Sequence, residues 1–296
     1  MTKILITGGT GLVGKQLQQV FKKQNIEVVI LTRNPKQENE FKWDINQKYI
    51  DEKAFENITH IIHLAGAGIA DKRWTITRKK ELINSRVDSA NLLFEKIKEY
   101  KIPLQGFISA SGIGYYGAIT SDKIYSENDT PHNDFIAKIC IEWEKSANQF
   151  KQLNIPVTIL RTGIVLTKFG GALPKINTPL FLAALGDGKQ YMPWVHIDDL
   201  SNLYFKAITD NNFTGIYNAV APEHQTNKNF TKILSKSIHK PIFPLNAPAF
   251  VLNIVLGEMS DILLKGSRIS SEKTKNVYKF QYPDLKTALK NIYNDK

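Results

Sequence analysis

The chain has 296 residues, 42% of them hydrophobic, which is enough to bury a sizeable core in one large domain or in a domain with an appendage. Its net charge is +11 and its pI about 9.4, yet lysines and acids are interleaved with no block of five or six like charges. That pattern describes a solvated surface able to attract an anionic ligand, and it argues against a nucleic-acid interface. The lone cysteine, Cys140, excludes an internal disulfide and a cysteine zinc cluster. The apolar run from Phe250 to Leu256 contains Asn253 and is too short to span a bilayer, and no secretory apolar stretch opens the chain, so a cytoplasmic location is expected.

Lys3-Ile4-Leu5-Ile6 reads as a buried strand. It runs into Thr7-Gly8-Gly9-Thr10-Gly11-Leu12-Val13-Gly14 and then into a helix with Val13, Leu17 and Val20/Phe21 on one face. Strand, glycine turn and helix in that order predict a dinucleotide phosphate site. The spacing fits both Gly9-x-Gly11-x-x-Gly14 and Gly8-x-x-Gly11-x-x-Gly14. One glycine makes the tight turn, one admits the pyrophosphate to the backbone, and Gly14 lets the helix lie close to the strand. The helix start then presents unpaired N–H groups and the positive end of its dipole.

Ile26 to Leu31 is the second strand and ends at Thr32-Arg33-Asn34-Pro35. An acid at this place would suit free ribose hydroxyls; an arginine suits a 2′-phosphate, or else is a surface residue before a proline turn. Trp43-Asp44-Ile45, after the third strand, offers an adenine contact. His60 to Leu64 is a fourth strand running into Ala65-Gly66-Ala67-Gly68, small residues that let backbone pass close to a ligand. His60 and His63 lie in the strand with no metal-binding cluster nearby, and read as structural.

A long helix runs from about Thr77 to Tyr100, with Glu81 and Arg86 near its start. Gly106 to Ser111 is the fifth strand and includes Ser109; a second helix covers about Phe135 to Phe150. Val157 to Leu160 is a further strand, ending in Arg161-Thr162-Gly163-Ile164. Phe169-Gly170-Gly171-Ala172 reads as a flexible loop. Trp194 to Asp199 joins a short strand to a helix capped by Asp198 or Asp199, Gly215 to Val220 is a late strand, and the last fifty residues look separate and helical.

Alternating strands and helices predict an α/β fold: a Rossmann-type, doubly wound parallel sheet with a smaller, mostly helical C-terminal substrate or cap region. The expected boundary separates 1–240, with substrate-side elements from about 168, from 241–296. The glycine turn, Arg33, Leu64–Gly66, Ser109–Ser111 and Arg161–Ile164 all fall at strand ends, where such sheets bind ligands.

Several segments together resemble an extended short-chain dehydrogenase/reductase of the sugar-nucleotide epimerase kind: Thr7–Gly14, His63–Gly66, Ser109–Gly117, Arg161–Leu166 and Trp194–Asp199. The closer resemblance is to an atypical, epimerase-like branch with a C-terminal domain of unknown function. It rests on residues 111–117, Trp143-Glu144, Phe169–Ala172, Pro193–Ile197 and the tail from Ala247 to Tyr293. The resemblance implies NADP(H) as cofactor, with Thr32 and Arg33 at the 2′-phosphate. It also implies Glu81 and Arg86 in the cofactor site, beside Gly8, Thr10, Gly11, Leu12, Val13, Gly14, Leu64, Ala65, Gly66, Ser109, Arg161, Gly163 and Ile164. A small-molecule substrate, no nucleic-acid or membrane partner and a monomeric or homodimeric state are expected.

The chain departs from the wider superfamily at the catalytic tyrosine. That superfamily pairs a serine with Tyr-x-x-x-Lys, whose lysine lowers the phenol's pKa for proton exchange with substrate. The corresponding helix reads Asp134-Phe135-Ile136-Ala137-Lys138-Ile139-Cys140 and offers no tyrosine in any register. Tyr49…Lys53 and Tyr282…Lys286 have the spacing but lie in the wrong parts of the chain. Near the nicotinamide remain Ser111, Tyr116 and Lys138. Ser111 either polarises a substrate carbonyl or ties down its loop. Tyr116 reads first as a packed aromatic and second as the replacement acid, and Glu127 and His196 read as structural. Two functions follow: an NADP(H)-dependent oxidoreductase or epimerase-like enzyme, or an NADPH-binding sensor or assembly protein without turnover.

Overall fold

The computed structural model describes residues 2–294. The first strand, β1 (Lys3–Thr7), alternates its side chains between two cores: Leu5 enters one, Ile4 and Ile6 the other. The same alternation recurs at Ile61 and Ile62, Phe107 and Ile108, and Ile159 and Leu160. A strand apolar on both faces needs cover on both faces, and the helices supply it. α1 (Leu12–Lys23) sends Leu17 and Phe21 to one side; α2 (Ile76–Glu99) sends Leu92, Leu93 and Ile97 to the other.

β2 (Glu27–Thr32), β3 (Glu40–Asp44) and a two-residue β4 (Tyr49–Ile50) extend the sheet on one side of β1. The chain then crosses back. β5 (His60–His63), β6 (Gly106–Gly112), β8 (Val157–Thr162) and β11 (Gly215–Ala219) extend it on the other, giving the order β11-β8-β6-β5-β1-β2-β3-β4. Every pairing in it is parallel except β3 with β4. The order in which the chain adds strands reverses between β1 and β5, so the crevice at the switch point lies between the turns that follow those two strands.

α3 (Phe135–Asn148) packs beside α2, and α5 (Ile197–Thr209) beside α1. The cap of α5 differs from the sequence expectation. His196 Nδ1 accepts the Asp198 N–H, and Asp198 and Asp199 sit inside the first turn, where their charge favours the dipole.

Two small parallel ladders stand outside the main sheet. β9 (Ile164–Leu166) pairs with β10 (Trp194–His196), and β7 (Ile124–Tyr125) with β12 (Arg268–Ile269). Phe169–Gly171 turns into the short α4 (Ala172–Ile176). Beyond α6 (Asn227–Ile238), the helical stretch from Phe250 to Leu264 is interrupted. α7 (Ala249–Leu256) ends at Gly257, whose φ of +60° suits glycine, and α8 (Asp261–Leu264) follows a single 3₁₀ turn. After the short α9 (Glu272–Lys275), α10 (Leu285–Asn294) buries Leu285, Ala288 and Leu289 in a core shared with Leu166, Leu173, Trp194, Phe230 and Leu234.

Candidate cofactor and substrate site

At the end of β1, Thr7 is buried and its hydroxyl accepts the N–H groups of Leu64 and Ala65, both at 3.2 Å. That pins the turn after β1 to the turn after β5. Gly8 follows with φ +70°, and a Cβ there would lie 2.9 Å from the Leu64 carbonyl carbon. A Cβ at Gly14 would come within 2.6 Å of Gly8 O and Gly9 Cα, so the start of α1 lies against the turn as only glycine allows. Thr10 and Gly11 are exposed, and Leu12 and Val13 half-buried.

The helix start carries no side-chain cap and no acid in its first turn. α2, α3 and α6 are by contrast capped by the side chains of Thr75, Asp134 and Thr226. Free N–H groups, a positive dipole end and backbone cleared of side chains together make an anion cradle, and a pyrophosphate fits it.

At the end of β2 the Arg33 side chain is exposed and makes no ion pair or hydrogen bond among the described residues, while Thr32 Oγ1 accepts the Asn34 N–H at 3.4 Å. Trp43 is buried in the core, and Asp44 accepts the N–H groups of Asn46 and Gln47, holding its own turn.

The turn after β5 is held from below by α2. Arg86 donates to Leu82 O at 2.7 Å and Ala67 O at 3.0 Å, lies over the Trp143 ring at 4.7 Å, and approaches Gly66 so closely that a Cβ there would be 3.0 Å from its Cζ. No carboxylate pairs with it among the described residues, and its Nε is buried without an acceptor. Burial, with the Arg78 charge nearby, draws its pKa down to about 10, so it remains a cation at neutral pH. Arg78 donates to Gly68 O at 2.6 Å and pairs with half-exposed Glu81 at 2.7 Å, which holds that carboxyl below its usual range.

His63 is sealed beneath this turn. Its Nδ1 accepts from Trp143 Nε1 at 3.3 Å, which puts the imidazole proton on Nε2, 2.8 Å from Ser89 Oγ. Burial, reinforced by the Arg86 charge, lowers its pKa to about 3. Among the described residues, no group of three or more His, Cys, Asp or Glu side chains is arranged to hold a metal.

The ends of β6 and β8 carry a buried polar network. Arg161 is 1% exposed and bidentate on Glu144, Nε to Oε1 at 2.7 Å and Nη2 to Oε2 at 2.8 Å. Its guanidinium stacks 3.3 Å from the Tyr115 ring centre, and its Nη1 donates to Tyr116 Oη at 3.0 Å. Tyr116 donates in turn to Asn218 Oδ1 at 2.7 Å, and burial pushes its phenol up to about 12. Ser111 is buried, with its hydroxyl donated to Glu144 Oε1 at 2.8 Å. Ser109 is buried with its hydroxyl on Ala110 O.

Gly163 is hemmed by Pro193 O, which a Cβ would meet at 2.7 Å, and Ile164 is half-buried at the start of β9. Lys138 is exposed on α3. Asp134, at the start of that helix, is occupied as its cap and also accepts the Ala118 N–H.

The structure thus brings Gly8–Gly14, Arg33 and Leu64–Gly66 around the switch point, with Arg86 behind them. It gathers Ser111, Tyr116 and Arg161 into the network around Glu144. Sequence reasoning gave no role to Glu144, Asn218 or Arg78. For Glu144 a signal was present: Ala137, Cys140, Glu144 and Ala147 share one helical face, and an acid on an otherwise apolar face needs a buried cation.

A sequence profile of the NAD dependent epimerase/dehydratase family matches residues 4–219. The chain belongs to that family. A second profile, a domain of unknown function (DUF1731), matches residues 247–292. The chain is 33% identical over 302 residues to an epimerase family protein of Staphylococcus aureus (strain NCTC 8325 / PS 47), covering 100% of each. It is similar in structure to the human epimerase family protein SDR39U1, solved with NADPH, at TM-score 0.87 and 26% identity over 100% of both chains. A UDP-glucuronic acid 4-epimerase from Bacillus cereus, solved with UDP-glucuronic acid and NAD, shares the fold at TM-score 0.77 and 21% identity, with 99% and 98% of the two chains covered. An NAD(P)-dependent, epimerase-like function is supported at the level of the family. No helix among the described residues is long and apolar enough to cross a membrane.

Proposed function

We propose that the chain binds NADP(H) and uses it on a small-molecule substrate as an oxidoreductase or epimerase-like enzyme. The observation that carries this reading is the uncapped, glycine-cleared start of α1 at the switch point, with unpaired Arg33 at the end of the neighbouring strand. The backbone N–H groups of Leu12, Val13 and Gly14 would take the pyrophosphate. Arg33, with Thr32 beside it, would take the 2′-phosphate through charge-assisted hydrogen bonds that a carboxylate would forbid. Leu64, Ala65 and Gly66 would give the cofactor a backbone edge to lie against, with the turn behind it held from α2 by Arg86 at Ala67 O and by Arg78, paired with Glu81, at Gly68 O. The chemistry supplied by the cofactor is hydride transfer.

A second reading, an NADPH-binding sensor or assembly protein without turnover, is favoured by one observation. Neither expected proton-handling group is free: Ser111 donates to Glu144 and Tyr116 to Asn218, both in the interior. In this second reading Ser111, Tyr116 and Arg161 position the strand ends.

Calorimetric titration of NADPH and NADH against the wild type and Arg33→Ala tests the cofactor reading. NADPH should bind at least about tenfold more tightly than NADH, the low end of what one hydrogen bond to a charged group contributes. Arg33→Ala should erase most of that gap by weakening NADPH alone. Equal wild-type affinities, or equal weakening of both cofactors, would defeat it. Following NADPH absorbance with candidate carbonyl compounds separates the oxidoreductase reading from a protein without turnover.

A further inference from the structure

The substrate-side lobe carries an apolar surface that the cofactor reading leaves unused. α7 reads Ala-Phe-Val-Leu-Asn-Ile-Val-Leu, and none of its residues is buried. Phe250 is 65% exposed, Ile254 70% and Val255 63%. A helix apolar on nearly every side is a core element in a globular protein, and here it lies at the surface.

The surface continues beyond the helix. Phe181 stacks on Phe243 at 4.9 Å, and the stretch containing Leu182 and Leu185 runs alongside Ile242 and Ala247 through parallel bridges. That brings Leu180, 78% exposed, and Leu245, 70% exposed, onto the same lobe, and a Cβ at Gly186 would lie 3.9 Å from Ala249. Exposed apolar patches of this extent mark binding surfaces.

The form and charge of the patch select its occupant. Side chains exposed by more than three-fifths protrude, whereas a small-molecule pocket is concave and encloses its ligand. The segments that build the lobe, 168–190 and 228–265, contain eight lysines and three acids. Lys240 is tied to the neutral groups of Asn177 and Thr178 beside Leu180, and Lys228 lies against Gly188, whereas Lys265 at the end of α8 is paired with Asp261 at 3.0 Å. A second copy docked face to face would bring two basic rims together. An anionic lipid surface would neutralise the rim while the apolar side chains enter the acyl boundary.

We propose that this lobe docks peripherally on anionic lipid, with Phe250, Ile254 and Val255 as the inserted side chains. A run too short to span a bilayer is long enough to lie on one.

Co-sedimentation of the full chain with phosphatidylcholine vesicles, and with vesicles of phosphatidylcholine and phosphatidylglycerol, tests this without reference to the cofactor. The chain should partition onto the mixed vesicles and not onto the neutral ones. Phe250→Glu and Ile254→Glu should each weaken partitioning about tenfold or more, the effect of withholding one large apolar side chain from hydrocarbon. Their unfolding midpoints should stay close to the wild type, since both side chains are mostly exposed. No binding to the mixed vesicles would overturn the proposal. So would unchanged binding by both variants, which would reduce it to diffuse charge attraction. A concentration-dependent dimer abolished by Ile254→Glu, without vesicle binding, would assign the surface to a second copy and overturn it equally.

Discussion

Glu144 holds Arg161 with both carboxylate oxygens, at 2.7 and 2.8 Å, and both side chains are buried. The pair bolts α3 to β8, and Ser111 at the end of β6 joins it through its hydroxyl. Such a pair is costly to bury and costlier to break, because removing one member strands the other's charge in the interior. Glu144→Ala should therefore lower stability by about 3–5 kcal/mol, and Arg161→Met by a similar amount. The double variant should lose less than the sum, as the two share one interaction. Urea unfolding of the three variants reads this directly. A loss below about 1 kcal/mol for Glu144→Ala would place the pair with surface salt bridges.

The glycine turn separates a binding role from a folding role. A Cβ at Gly11 would meet only Gly8 O, at 3.2 Å, whereas one at Gly14 would press within 2.6 Å of two backbone atoms. Gly11→Val should leave the chain folded and remove NADPH binding, because its side chain projects where the pyrophosphate is proposed to lie. Gly14→Ala should cost about 1–3 kcal/mol of stability, the usual penalty for overpacking a closed contact. Thermal unfolding beside a cofactor titration distinguishes them. Full NADPH affinity in Gly11→Val would remove the phosphate site from this turn.

The period-two strands, the glycine turn and the alternation with helices were legible because each is written locally, in residues that touch neighbours close in sequence. The placement of the candidate residues at strand ends was legible in the same way, whereas the β1–β5 crevice needed the strand order that the fold supplies. What joins distant segments was not legible. Asn218 binds Tyr116, accepts nothing from its own strand neighbours' side chains, and is tied through its N–H to Glu127 and its Nδ2 to Ser270. No spacing rule announces such a meeting. The helix cap expected at Asp198 or Asp199 falls instead to the ring of His196, a structural role for that histidine. The fate of Ser111 turned on Glu144, a residue visible in the sequence only as an acid on an apolar helical face.

Ser111 is the residue on which the enzymatic and positioning roles make opposite forecasts. Its hydroxyl donates to a buried carboxylate that is paired with Arg161, and hydrogen bonds to charged groups contribute about 1.5–3 kcal/mol. Ser111→Ala should lose stability in that range while NADPH affinity stays within about twofold of the wild type, since a buried hydroxyl bound to Glu144 has no contact to withdraw from a cofactor. The unfolding midpoint and a cofactor titration check both parts. An unchanged midpoint together with a fall in turnover on any substrate found would return Ser111 to the chemistry.

His63 gives the fold a defined response to acid. Its pKa is lowered to about 3, by burial first and by the Arg86 charge second, against about 6.5 for an unfolded histidine. Between those values the unfolded chain takes up a proton that the folded chain refuses. The neutral ring's contribution is therefore complete above about pH 6.5 and is lost progressively as the pH falls toward 3. From pH 6 to pH 5 this one group should remove about 1 kcal/mol of stability. His60, His196 and His224 are also lowered by burial and act in the same direction, so the wild-type curve alone does not isolate His63. His63→Gln does, because it cannot titrate. The variant should be the less stable protein at pH 7, having lost the ring's stacking on Phe107 and its fit between Trp143 and Ser89. Its deficit should then shrink by about 1 kcal/mol between pH 6 and pH 5, as only the wild type pays for excluding the proton. Urea unfolding at the two pH values measures the deficit, and a deficit that stays constant would mean that His63 titrates in the folded chain as it does in water.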